Sequence, residues 1–126
     1  MSNTVSEGIS YIISEKYFVI RIKKRNVLKT KSRGFAEELN SILSELDEKY
    51  RPLGAVLVGL SLYRCKDAEK YIHTVKKAFF DPNLSRLLFE VARYYVNIHS
   101  VVRNLNSRLA TLTRYVLSTL VNSKST

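Results

Sequence analysis

This 126-residue chain has a single cysteine, Cys65, so no internal disulfide is available and no stapled secreted scaffold is implied. It has only two histidines, His73 and His99, and with one cysteine that inventory lacks the paired spacing of a zinc site. Four glycines, at positions 8, 34, 54 and 59, are too scattered for a phosphate-cradling loop. No nucleophile–base pair can be assembled from so few candidates. We therefore expect no catalytic residue, no metal and no cofactor, hence no enzyme and no small-molecule substrate. The longest uncharged run, Pro52 to Tyr63, falls far short of a membrane span. Met1–Gly8 is polar and acidic where a secretory leader would carry cations. Glutamine is absent and methionine occurs once, a depletion of thermolabile residues with a hyperthermophile flavour.

Carboxylates are missing from two regions, and this absence is the most informative. Arg21 to Arg33 (RIKKRNVLKTKSR) carries Arg21, Lys23, Lys24, Arg25, Lys29, Lys31 and Arg33 with no acid. Residues 91–126 hold Arg93, Arg103, Arg108, Arg114 and Lys124, again with no acid. Residues 1–33 therefore sum to +6, residues 34–90 to −1 and residues 91–126 to +5. Clustered like charge persists against a polyanion or in open water. With a pI near 9.9, a nucleic acid is the expected partner, duplex DNA before RNA, and an anionic membrane is disfavoured. The candidate nucleic-acid contacts are the seven cations of residues 21–33 together with Arg86, Arg93, Arg103, Arg108 and Arg114. Arg86, Arg93 and Arg114 share one heptad position along the terminal helices. Tyr11, Tyr17 and Phe18 near the basic stretch, and Tyr94, Tyr95 and Tyr115 near the arginines, could stack on bases, but at helical spacing they read first as core.

The apolar pattern is largely helical. Val5, Ile9, Ile12 and Ile13 recur at helical spacing. Tyr17–Ile22 has strand-like composition, but with no evident partner strand it is assigned to a continuing helix. Phe35, Leu39, Ile42, Leu43, Leu46 and Tyr50 mark a helix whose opposite face is acidic. Leu53 to Tyr63 is apolar all round, which predicts a helix buried on every side, with Gly54 and Gly59 admitting close neighbours. A further helix runs from Lys66 to Phe79, and Asp81-Pro82 ends it and starts the next. From Leu84 the apolar stripe is long, with turn chemistry only at Asn104–Ser107. The expectation is an all-α protein: a basic, largely helical arm over residues 1–33 and a small antiparallel helical bundle over residues 34–126. The expected core is Phe35, Leu39, Leu43, Leu46, Val56, Leu57, Leu60, Val75, Leu88, Val91, Ile98, Leu109 and Leu112. Excess apolar surface beyond Leu84 predicts self-association, or pairing with a closely related subunit.

The basic arm RIKKRNVLKTKSR, the apolar Leu53–Tyr63 helix and the acid-free helices after Leu84 together resemble the major coat proteins of filamentous and rod-shaped archaeal viruses. That resemblance implies helical arms wrapping duplex DNA, bundles packed into a nucleoprotein filament, and a place in the virion. The chain is also similar in outline to the small all-helical subunits of CRISPR interference complexes, which would imply RNA, protein partners and a cytoplasmic setting. A small basic DNA-binding regulator, ribbon-helix-helix included, and a membrane-surface protein are the remaining alternatives.

Overall fold

In the computed structural model, which describes residues 8–99, 110–115 and 117–119, the chain between Gly8 and Arg33 is a sheet. Strands β1 (Ile9–Ile13), β2 (Tyr17–Ile22) and β3 (Arg25–Lys31) form an antiparallel meander in the order β1-β2-β3. The protein is α+β. The all-α expectation and the largely helical arm are both overturned, as is the helical assignment of Tyr17–Ile22. The physical reason is alternation: Phe18, Ile20 and Ile22 are buried while Tyr17 and Arg21 are exposed. Leu28 and Ser32 are buried with Thr30 half-buried, and Lys29, Lys31 and Arg33 are exposed. That period of two is a strand's. β2 also has two partners, Ile13 pairing with Phe18 and Ile20 with Leu28.

Local chemistry sets the turns. Ser14 holds the β1–β2 turn: its backbone N–H donates to Tyr17 O at 2.8 Å, and its Oγ accepts from Tyr17 N at 3.0 Å. Ser32, fully buried, ties the end of β3 to that turn by donating from Oγ to Ser14 O at 2.5 Å. Near the other end of the ladder Asn26 and Val27 both oppose Arg21, a bulge that bends β3.

The helices are α1 (Ala36–Ser44), α2 (Arg51–Leu62), α3 (Ala68–Phe79) and α4 (Pro82–His99), with a 3-10 turn at Glu48–Tyr50 before α2. Residues 110–115 and 117–119 are also helical, and the expected turn at Asn104–Ser107 lies outside the described residues. α2 has every residue from Pro52 to Leu62 buried and meets every other named element. The sheet covers one of its sides, and α1, α3 and α4 cover the others. A Cβ on Gly59 would sit 2.6 Å from Leu28 Cδ2 and 2.7 Å from Ile20 Cδ1, so glycine there lets the sheet close onto the helix. Ser61 tolerates this burial because its Oγ donates to Leu57 O at 2.8 Å. Two arginines satisfy helix ends. Arg51 donates to Leu46 O at 3.0 Å and Ser44 O at 3.2 Å, and Arg114 donates to Tyr63 O at 2.9 Å and Ser61 O at 3.4 Å.

Of the expected core, Leu39, Leu43, Val56, Leu57, Leu60, Val75 and Leu88 are buried, and Phe35, Leu46 and Val91 pack half-buried against them. Leu112 is not core; it is 52% exposed. Leu109 lies outside the described residues, as does the side chain of Ile98. The core also takes in Ile9, Phe18, Ile20 and Leu28 from the sheet.

Two outcomes follow from this packing. Leu57→Ala should lower unfolding stability by about 2–5 kcal/mol in a denaturant titration, because α2 has no solvent side onto which the cavity could collapse. Tyr95 is fully buried, and loss of its hydration raises its phenol above the ordinary value, with the nearby Tyr63 adding repulsion. Above pH 10.0 the unfolded chain therefore sheds this proton while the folded one keeps it, and stability falls as pH rises. Melting curves between pH 8 and 11 should show that decline, and Tyr95→Phe should make it shallower.

Candidate nucleic-acid interface

Because strand residues alternate, one face of the sheet is apolar against α2 and the other is left to solvent. The outer face carries Tyr17, Val19 and Arg21 from β2, Lys29 and Lys31 from β3, and Ile12 from β1. Lys29 and Lys31 are two residues apart on one face, about 6.8 Å by strand geometry. That is about two base-pair rises along the axis of duplex DNA. Lys29 Nζ lies 4.3 Å from the centroid of the Tyr17 ring, its diagonal neighbour, so this aromatic is a platform at the surface. Arg21 is steered by a bond from its Nε to Asn26 Oδ1 at 2.8 Å, which leaves its terminal nitrogens for other acceptors. Lys76 pairs with Glu38 at 3.9 Å, and among the described residues no carboxylate pairs with a cation between 21 and 33.

The β2–β3 connection is a two-residue turn at Lys23 and Lys24, with φ of 53° and 67°. Positive φ at both central residues marks the tight hairpin turn that ordinarily takes Asn-Gly. Lysine there is strained by about 1–2 kcal/mol per residue, yet it puts two ammonium groups at the tip of the ribbon with Arg25 beside them. Every non-glycine residue with positive φ among the described residues is a cation: Lys23, Lys24, Arg33 at 43° and Arg64 at 51°. Left-handed backbone is thus concentrated at basic residues.

The structure thus brings Arg21, Lys23, Lys24, Arg25, Lys29, Lys31 and Arg33 onto one face, one tip and one edge of a single sheet. It does not bring Arg86 and Arg93 to that group: they are exposed on α4 and line a separate groove with Tyr50, Phe89 and Glu90. Arg114 is half-buried with its guanidinium on the α2 carbonyls, and Arg103 and Arg108 lie outside the described residues. Phe18 and Tyr95 are core, whereas Tyr94 and Tyr115 are 58% and 69% exposed. Sequence reasoning missed Arg64 and Lys66, which face Lys29, Lys31 and Arg33 across a groove. No local signal marks them, since the fold alone joins positions thirty residues apart. Among the described residues no cluster of metal-binding side chains forms, and no helix is long and apolar enough to cross a membrane.

No family model matches the chain, and neither a curated protein nor a solved structure matches it significantly.

Replacing Lys23-Lys24 by Asn-Gly should raise unfolding stability by roughly 1 kcal/mol, because the turn loses its strain. The same variant should bind polyanions more weakly, with a log–log salt slope shallower by up to about 2. Opposite movement of the two readouts is the diagnostic result; a loss of stability would show that the lysines support the fold.

Proposed function

We propose that this protein is a structural nucleic-acid-binding protein that coats DNA through sequence-independent phosphate contacts and packs side by side with further copies of itself. The observation that carries this reading is the outer sheet face and hairpin tip, where the cations of residues 21–33 stand together without a carboxylate partner. Lysine and arginine contacts to phosphate fix position and carry no base information. None of the cations sits on a helix presenting paired Asn, Gln or Arg toward a groove, as base readout would need. The reading assigns no reaction and no cofactor. A nucleoprotein filament, as in a virion, is the setting it suits. The helical arm that would have wrapped the duplex is a β-ribbon, so the proposal rests on charge geometry rather than on likeness of architecture. Self-association draws support from Phe80, Leu87 and Tyr94, which are 51%, 47% and 58% exposed on and beside α4. Apolar side chains this large at the surface favour a protein contact.

The test is a salt titration of wild type and Lys29→Ala/Lys31→Ala against duplex DNA, single-stranded RNA and anionic liposomes. If about five cations touch phosphate per subunit, the wild-type slope on duplex DNA should be near −4 to −5, independent of sequence. The double variant should flatten it by up to about 2 while the melting temperature holds, because both side chains leave the core face untouched. Unchanged binding in the variant sinks the proposal. Preference for RNA would favour an RNA-guided complex subunit instead, and preference for liposomes a membrane-surface protein.

A further inference from the structure

β3 is an edge strand, and the turn after α2 runs beside it, joined to it by Thr30 Oγ1 donating to Leu62 O at 3.1 Å. Between them lies a groove of about 550 Å³. Lys29, Lys31 and Arg33 stand on its strand side and Arg64, Cys65 and Lys66 on its turn side, with no carboxylate in the lining. Five cations face one another across a trough.

The backbone of β3 contributes as well. Ser32 N–H donates to Lys16 O at 3.0 Å, which makes 16 and 32 a bonded pair across β2 and β3. Bonded pairs alternate along an antiparallel ladder, so Lys29 and Lys31 turn their own N–H and C=O groups away from β2, toward the groove. No backbone bond is formed with them on that side among the described residues. Edge N–H donors beside ammonium and guanidinium groups make an anion site.

Both arginines of the groove sit on left-handed backbone, Arg64 just past the end of α2. Arg33 has φ of 43° and Arg64 has φ of 51°, positions where glycine sits without strain. Arg33 is followed by Gly34, also left-handed at 85°, so a glycine was already the local solution one residue later. Both of these arginines line the groove, one on each wall.

We propose that this groove clamps one phosphodiester strand of the bound nucleic acid, with Arg33 and Arg64 closing on its phosphates from opposite sides and Lys29, Lys31 and Lys66 completing the track. The inference rests on the nucleic-acid reading above and adds a second, concave contact beyond the sheet face. A trough admits a single backbone, whereas a whole duplex can meet only its rim, so one strand enters and the other stays outside.

Cys65 supplies a local reporter, being half-exposed in the trough itself. The experiment follows the rate at which a maleimide modifies Cys65 in the full chain, alone, with a 20-base-pair duplex, and with inorganic tripolyphosphate, for wild type and for Arg33→Gly/Arg64→Gly. Duplex should slow modification of the wild type at least fivefold, and the double variant should lose most of that protection. The variant's salt slope should be shallower by about 1.8, the equivalent of two phosphate contacts. Its melting temperature should equal or exceed that of wild type, since glycine relieves both left-handed positions. If wild type binds duplex but the Cys65 rate is unchanged, the groove is not on the path and this proposal falls, while the sheet-face reading stands. If tripolyphosphate protects at lower concentration than duplex, the site belongs to a small polyphosphate and the strand clamp is wrong. If wild type binds no nucleic acid at all, the nucleic-acid reading fails and takes the clamp with it.

Discussion

The constraint on which the structure depends is that α2 has no polar side. From Pro52 to Leu62 every residue is buried, so this helix must be surrounded before the chain can be stable in water. Three helices cannot close the ring alone, and the sheet supplies the remaining wall through Phe18, Ile20 and Leu28. Gly59 sets how near that wall comes, because any side chain there would meet Ile20 and Leu28. The basic stretch is thus tied to the core from behind. Its charged groups stand on a surface backed by the packed core, where cations in a loose arm would have to be ordered on binding.

Cations in this chain divide by what they touch. Arg51 and Arg114 are committed to carbonyls at the ends of α1 and α2, and they serve the fold. Lys23, Lys24, Arg33 and Arg64 do the opposite, since their backbones would be more comfortable as glycine or asparagine. Composition cannot separate these two groups, because an arginine that caps a helix and one left at the surface look alike in sequence.

Much of the helical half was legible. The all-round apolar run at Leu53–Tyr63, the Asp81-Pro82 boundary and the stripe from Leu39 to Leu43 each report a local pattern that tertiary context did not alter. The sheet was legible too, in the alternation of Leu28, Thr30 and Ser32 with Lys29, Lys31 and Arg33. It is masked because Ile9, Ile12 and Ile13 also fit helical spacing, which leaves β2 without an evident neighbour. Strand assignment depends on partners in a way that helix assignment does not, since a helix closes its own hydrogen bonds. A helical reading of β1 removes the partner of β2, and with it the sheet that β3 completes. The candidate interface was half legible: the cations of residues 21–33 were visible as a run, whereas Arg64 and Lys66 join them only when α2 ends beside the sheet edge.

The two-residue period has a consequence for how binding and stability are coupled. Outward cations on β2 and β3 share no contact with the inward face, so Arg21, Lys29 and Lys31 can change while Phe18, Ile20 and Leu28 keep their packing. Along the strands, affinity and stability are therefore independent. At the turns they oppose each other, because the residue that relieves the backbone is the one that lacks the charge. A sheet built this way can gain or shed surface charge along its face without disturbing the core that α2 requires. The tip and the groove edge, at Lys23, Lys24, Arg33 and Arg64, are where long side chains sit on left-handed backbone, so charge there is held against the backbone's own preference.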